Sequence, residues 1–201
     1  MLLILMVLLG SYFARRVNLK APVISAVGDS ERLIQALKPQ IVPAVLGGIL
    51  GGVILILFFS GMSRYLPAEF LSAGKQLTLP WYTRLLYGGI TEEILIRWGL
   101  MSFFVWLPYR LTQAKETPVK SYNYIIGIIF SAILFGIGHL PAASLLAPEL
   151  TTMLVVYIIL GNALFGFIAG YLFWKRGLES AILAHIITHL VLIAGAALEL
   201  S

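Results

Sequence analysis

The sequence predicts an all-α fold, a polytopic transmembrane helix bundle of about six spans, and three observations carry that expectation. Of the 201 residues, 60% are hydrophobic and only 11% charged, with a mean hydropathy of +0.95. Ordinary water-soluble chains hold about 25% charged residues, so this chain cannot clothe its surface in water. Its apolar residues fall in runs close to the roughly 20 needed to cross a hydrocarbon core of about 30 Å. The excess of 14 Lys+Arg over 9 Asp+Glu gathers between those runs, which reads as cationic cytoplasmic loops and not as a nucleic-acid surface.

Taken in order, Leu2 to Ala14 is apolar but short, and the Arg15-Arg16 pair behind it, without a positive charge in front, reads as an anchor and not a cleaved signal peptide. Asp29 or Ser30 caps a short helix with Leu33, Ile34 and Leu37 on one face, expected to end at Pro39 and to lie on the membrane surface. Ile41 to Ser60 carries no charge, and its Gly47, Gly48, Gly51 and Gly52 form two overlapping Gly-x-x-x-Gly pairs that admit another helix closely. Leu79 to Leu107 is apolar but interrupted by Arg84, Glu92, Glu93 and Arg97. Tyr122 to Leu140, Leu150 to Trp174 and Leu178 to Leu198 complete the set, the last interrupted by Glu179.

With the N-terminus outside, Arg15, Arg16, Lys20, Arg32, Lys38, Arg110, Lys115, Lys120, Lys175 and Arg176 fall on the inner side, against Arg64, Lys75 and Arg84 on the other. That asymmetry places both termini outside. No repeat and no long linker divides the chain, so residues 1–201 read as a single integral membrane domain. The absence of cysteine excludes a disulfide framework, a thiolate nucleophile and cysteine-bound metal. Asp29 is the one aspartate, which excludes paired-aspartate chemistry.

The informative residues are those that do not belong in lipid. All three histidines, His139, His185 and His189, fall in apolar runs, and Glu92, Glu93 and Arg97 interrupt another. A charge at the bilayer centre costs about 2.5 to 3.5 kcal/mol, so such residues need a partner or a purpose. On a helix Glu93 and Arg97 are four apart and share a face, the spacing of an ion pair. Glu92 is turned about 100° away, lacks a local cation, and is available as a general base. The alternative is that both glutamates merely balance Arg97 in a structural cluster. His185 and His189 stand at i and i+4 and project from the same face, as a metal-binding pair or as two hydrogen-bond donors. His139 follows Phe135 by one turn, so that ring walls the imidazole, while Gly136 and Gly138 beside it admit a neighbour. A lone buried histidine is ordinarily a satisfied packing residue; three of them beside a buried glutamate pair point to chemistry.

Intramembrane peptide hydrolysis narrows the options. A zinc protease would show His-Glu-x-x-His, and no histidine here is immediately followed by a glutamate. The aspartyl type lacks its second aspartate, and the nearest serine among glycines, in Gly61-Met62-Ser63-Arg64, falls in a polar loop.

The remaining combination is Glu92-Glu93 with Arg97, then Phe135 with His139, then His185 with His189, in that order on three spans. It resembles the CPBP or Abi family, bacterial relatives of the type II CAAX prenyl endopeptidases, over residues 85–201. The resemblance implies an integral membrane endopeptidase, multi-pass in a bacterial plasma membrane, with its site buried below the membrane surface. The substrate implied is a membrane-associated protein or peptide, not necessarily prenylated. By the same resemblance Glu92 and His139 activate the hydrolytic water, His185 and the polar residue at 189 stabilise the oxyanion, and Glu93, Arg97 and Phe135 support them.

One position departs from the family's pattern. Where Asn or another short polar residue is usual, this chain has His189, which still donates one hydrogen bond but needs a roomier site and is a better metal ligand. Glu92, His139, His185 and His189 therefore form an alternative site for a divalent metal such as zinc. No cofactor is favoured, because Glu92 suits the role of base and nothing in the sequence fixes a tetrahedral geometry. The rival function is a non-catalytic membrane scaffold, or an immunity or regulatory protein, on the same fold. A transporter with a Glu/His proton relay would show a repeated half, and the sequence has no internal symmetry. Catalysis is preferred because a pure binder has no use for buried charge.

At 1.5 Å per residue, His139 lies roughly 25 Å into its span from Tyr122 and His185 about 10 Å into its own from Leu178, and the two spans run in the same direction. They meet only if the first sits deeper in the membrane or the turn around Lys175 to Glu179 dips into a cavity.

Overall fold

The computed structural model describes residues 1–77, 80–114 and 117–198, and these contain helices and no strand. In chain order the helices are α1 (Leu2–Arg16), α2 (Pro22–Ser25), α3 (Ser30–Met62), α4 (Ala68–Gln76), α5 (residues 81–112), α6 (Ser121–Gly138), α7 (Leu140–Ser144), α8 (Thr152–Lys175) and α9 (Leu178–Ala197). Four helical stretches among the described residues, Ser30–Tyr65, Ser121–Ser144, Thr152–Lys175 and Leu178–Ala197, are long and apolar enough to cross a membrane. The other two expected spans correspond to α1, with 15 residues, and to α5, whose charges interrupt it, so six spans are compatible with the helices seen. Leu79, the expected start of the α5 span, and Lys115, among the expected inner cations, lie outside the described residues.

The α3 helix corrects one expectation. Asp29 caps it, its Oδ1 accepting from the Arg32 amide at 3.1 Å, but the helix runs through Pro39 and Pro43 to Met62. No separate surface helix ends at Pro39. Each proline removes one backbone bond, and packing on α9 outweighs the loss. Ser180 donates to the Gln40 carbonyl at 3.5 Å, Thr188 to the Gly48 carbonyl at 3.0 Å, and Ala44 packs with Ala184. A Cβ at Gly48 would stand 2.6 Å from the Ile187 Cβ and 2.7 Å from the Ala184 carbonyl oxygen. The glycine pairs thus bring two backbones together, the role expected of them in lipid, where small residues and not apolar burial drive helix association. On the outer face, Val42, Leu46, Leu50 and Leu57 are 65%, 64%, 54% and 67% exposed, an apolar stripe that suits acyl chains. The chain is an integral membrane protein.

Helix α5 is π-wound over Arg84–Glu92 and again over Ile94–Met101. Such wide turns are rare and gather at functional sites. With more than 3.6 residues per turn, consecutive side chains are separated by less than the α-helical angle, so Glu92 and Glu93 can both be directed inward. Helix α1 packs along the second π-wound stretch, with Met6 against Gly99.

The segment after α1 packs against the starts of α6 and α9. Tyr124 donates to the Val17 carbonyl at 2.7 Å, the Leu178 amide to the Lys20 carbonyl at 3.0 Å, and the Ile24 amide to Glu179 Oε1 at 2.8 Å. Leu178 to Ala181 are buried as a result. Gly177, at φ +128°, makes the turn under Pro22, where a Cβ would lie 2.6 Å from the ring. The α9 start is therefore packed against residues 17–25.

Candidate active site

The first buried element is a charge cluster behind the cavity wall. Glu93 and Arg97 are both 0% exposed, with Arg97 Nε 3.2 Å from Glu93 Oε2. The guanidinium lies 4.9 Å over the Phe135 ring and 6.0 Å from the centre of Phe165, so aromatic faces replace part of its lost hydration. Glu93 Oε1 accepts from His185 Nδ1 at 2.8 Å. One carboxylate thus holds a cation from its own helix and an imidazole from α9.

His139 caps the end of α6. Its Nδ1 donates to the Phe135 carbonyl at 2.8 Å and its ring meets Phe135 edge-on at 4.8 Å. A carbonyl only accepts, so in the neutral ring Nδ1 carries the hydrogen and Nε2 is left as an acceptor. That Nε2 is 3.9 Å from Glu92 Oε1, too far for a direct hydrogen bond. Two acceptors at this spacing suit a bridging water that donates one hydrogen to each.

His185 and His189 stack with centroids 4.8 Å apart and planes at 14°. His189 Nε2 is buried with no hydrogen-bond partner and lies directly against Gly88, where a Cβ would overlap it. Gly88 supplies the room that a histidine in place of a shorter residue requires.

Glu92, Phe135, His139, His185 and His189 line one cavity of about 300 Å³. All the residues singled out from the sequence come to one place, with Glu93 and Arg97 forming its backing. Arg84, Asn162 and Thr188 also line it and were missed as site residues. Asn162, whose amide donates to the Ile158 carbonyl at 2.8 Å, had a signal: it is the lone carboxamide in the run from Leu150 to Trp174, and polar groups in lipid are costly. A second cavity of about 470 Å³ shares Tyr87, Glu92, Phe135 and His139 with the first and continues as an apolar groove to Leu2 and Met6.

Among the described residues no group of three or more His, Asp or Glu is gathered closely enough to hold a metal ion. The Nδ1 atoms of His139 and His185 are engaged by Phe135 and Glu93, which leaves Nε2 as the ring nitrogen that could take a ligand, while the two α9 rings stack face to face.

Residues 74–191 match the family described as type II CAAX prenyl endopeptidase Rce1-like. No curated protein and no solved structure matches the chain.

Proposed function

This chain belongs to the type II CAAX prenyl endopeptidase Rce1-like family, and from that premise we propose that it is an intramembrane endopeptidase acting by Glu92/His139-activated water. The observation that carries this is the Glu92–His139 pair, two acceptors 3.9 Å apart at the wall of a cavity that also holds His185 and His189. A water held between them is oriented with its lone pairs free. As its oxygen bonds to the scissile carbonyl carbon, Glu92 takes its proton and the carbonyl electrons move onto oxygen. His189 donates a hydrogen bond to that oxyanion. His185, whose Nδ1 donates to Glu93, stacks on His189 as the second residue of the oxyanion site. Protonated Glu92 then delivers its proton to the leaving nitrogen as the C–N bond breaks, giving a carboxylic acid and an amine. Donors fixed in a dry site are worth more than in water and need no reorganisation during the reaction.

The substrate is a membrane-associated protein or peptide, and the apolar groove that reaches Glu92 and His139 supports delivery from the lipid side. The expected setting is the plasma membrane of a bacterium. The test compares wild type with Glu92→Ala, each in bilayers with a panel of prenylated and leader peptides, with and without a chelator, products being read by mass spectrometry. Cleavage by the wild type, kept with chelator and abolished in a folded Glu92→Ala, is the expected result. Cleavage by Glu92→Ala at the wild-type rate overturns the role of Glu92, and loss with chelator moves the histidines to a metal.

A further inference from the structure

Asn162 is a polar group of the cavity wall that the mechanism leaves without a part. It stands in α8 as the lone carboxamide of the run from Leu150 to Trp174, and it lines the cavity with Glu92, His139, His185 and His189. Polar side chains kept in lipid ordinarily hydrogen-bond across helices, as Thr188 does in donating to the Gly48 carbonyl of α3 at 3.0 Å. Among the described residues Asn162 makes no such link. Its Nδ2 donates at 2.8 Å to the Ile158 carbonyl of its own helix, an oxygen that the α-helical ladder already pairs with the Asn162 amide. That bond holds no second element in place. What it does is orient the group: a carbonyl only accepts, so the nitrogen of the carboxamide is the atom facing Ile158, and Oδ1 is left as an acceptor.

Contacts on two neighbouring helices fix its level. A Cβ at Gly136 of α6 would stand 2.6 Å from the Ile159 Cα, and one at Gly166 of α8 would stand 2.8 Å from the Ala132 Cβ, so α6 and α8 run antiparallel and Asn162 lies between these two crossings. Its side chain, bonded back to Ile158, leans toward the His139 end of α6. On the other side, the Phe165 ring, three residues along α8, has its centre 4.4 Å from that of His185. Helices α8 and α9 also run antiparallel, joined through the turn at Gly177. A step back from Phe165 to Asn162 is therefore a step forward from His185 toward Thr188 and His189. The carboxamide stands on the His189 side of the cavity, where the oxyanion of the proposed reaction forms.

A peptide drawn into this cavity leaves water behind, and each backbone N–H near the cut must find an acceptor or weaken binding. Glu92 and His139 are committed to the water, and Thr188 is turned to α3. Thr83 and Tyr87 also line the cavity, but they precede Glu92 by nine and five residues on α5, more than a turn away. The neighbouring wall at Leu55, Phe59 and Phe165 is apolar. We propose that Asn162 Oδ1 accepts the backbone N–H of the substrate residue next to the scissile bond, and so sets the depth at which the peptide is held. This rests on the endopeptidase reading and adds a substrate-binding residue to it.

The test takes the peptide that wild type cleaves fastest from a panel of prenylated and leader peptides. Each backbone amide except the scissile one is replaced in turn by an ester, which removes one N–H. Wild type, Asn162→Leu and Asn162→Gln are compared on these peptides in lipid nanodiscs. In wild type one ester, at a linkage adjoining the cut, should lower kcat/KM by about fivefold to a hundredfold, the penalty for a buried group left unpaired. Asn162→Leu, which keeps the size of the side chain, should lose a similar factor on the all-amide peptide and no longer distinguish that ester from it. Asn162→Gln, which keeps the carboxamide on a longer stem, should recover part of both. Cleavage by Asn162→Leu at the wild-type rate, or an ester effect beside the cut that survives in Asn162→Leu, overturns the assignment. So does an equal loss on every peptide, which would mean that Asn162 serves the fold. If Asn162→Leu does not fold, Asn162→Ala takes its place in the same comparison. A second arm scans the tightest-binding peptide of the panel, each amide replaced in turn, for binding to Glu92→Gln with and without Asn162→Leu. An Asn162-dependent preference for one amide there, with no peptide cleaved by wild type, upholds the contact and rejects the protease. Cleavage without any such preference does the reverse, and peptides neither bound nor cleaved reject both.

Discussion

Removing Glu93 should strand two buried groups at once. In Glu93→Ala the Arg97 guanidinium, 0% exposed, loses its ion-pair partner, and His185 Nδ1 loses the acceptor that holds it at 2.8 Å. Breaking a buried ion pair from one side costs about 3 to 5 kcal/mol, because the surviving charge has neither water nor partner. That is a large share of the 5 to 15 kcal/mol or so that separates a folded domain from its unfolded chain. At about 2 to 4 °C per kcal/mol for a chain of this size, Tm should fall by roughly 6 to 20 °C. Arg97→Ala should cost a similar amount, since it leaves the Glu93 carboxylate buried with only His185. The double variant should cost less than the sum, because neither charge remains to be stranded, and the cycle should show coupling of about 0.5 to 3 kcal/mol. Thermal unfolding in detergent, followed by tryptophan emission, reads this directly, with Trp98 adjacent to Arg97. A Glu93→Ala protein melting within 2 °C or so of wild type, or a strictly additive cycle, would refute the shared role of the carboxylate.

Other consequences can be checked with single preparations. Gly88→Ala should displace the His189 ring and lower kcat by about tenfold or more, and Gly88→Ala combined with His189→Asn should recover part of it, because the shorter side chain vacates the overlap; a harmless Gly88→Ala would deny the contact. His189→Ala should slow turnover by about 10² to 10³ with little change in substrate binding, the cost of one oxyanion donor, measured under single-turnover conditions. Gly48→Ala should destabilise the α3–α9 contact by about 1 to 3 kcal/mol through overpacking, whereas Val42→Ala on the lipid face should leave Tm nearly unchanged; equal effects would place the interface elsewhere.

The bundle was legible in the sequence because hydrophobic run length is set by bilayer thickness, and Glu93, Arg97, His185 and His189 because a spacing of four is a local property of any helix. What escaped was non-local. The sequence places Glu93 and His185 92 positions apart, and the packing of α9 on α5 brings them together. Pro39 looked like a helix stop because the support that Gln40, Ala44 and Gly48 draw from α9 is tertiary. The π winding around Glu92 was invisible to a 3.6-residue periodicity, and with it the inward turn of both glutamates. Arg84 read as a loop charge, since nothing local to it marks the cavity it lines.

The most direct measurement is the single-turnover cleavage rate of Glu92→Gln against wild type, with Tm and peptide affinity measured on the same preparations. The side chain keeps its size but cannot take the proton of the attacking water. A fall of at least about 10³-fold in rate, with Tm and affinity held near the wild-type values, is predicted, since the base is lost along with the pre-oriented nucleophile. A rate within tenfold or so of wild type would contradict water activation by the Glu92–His139 pair.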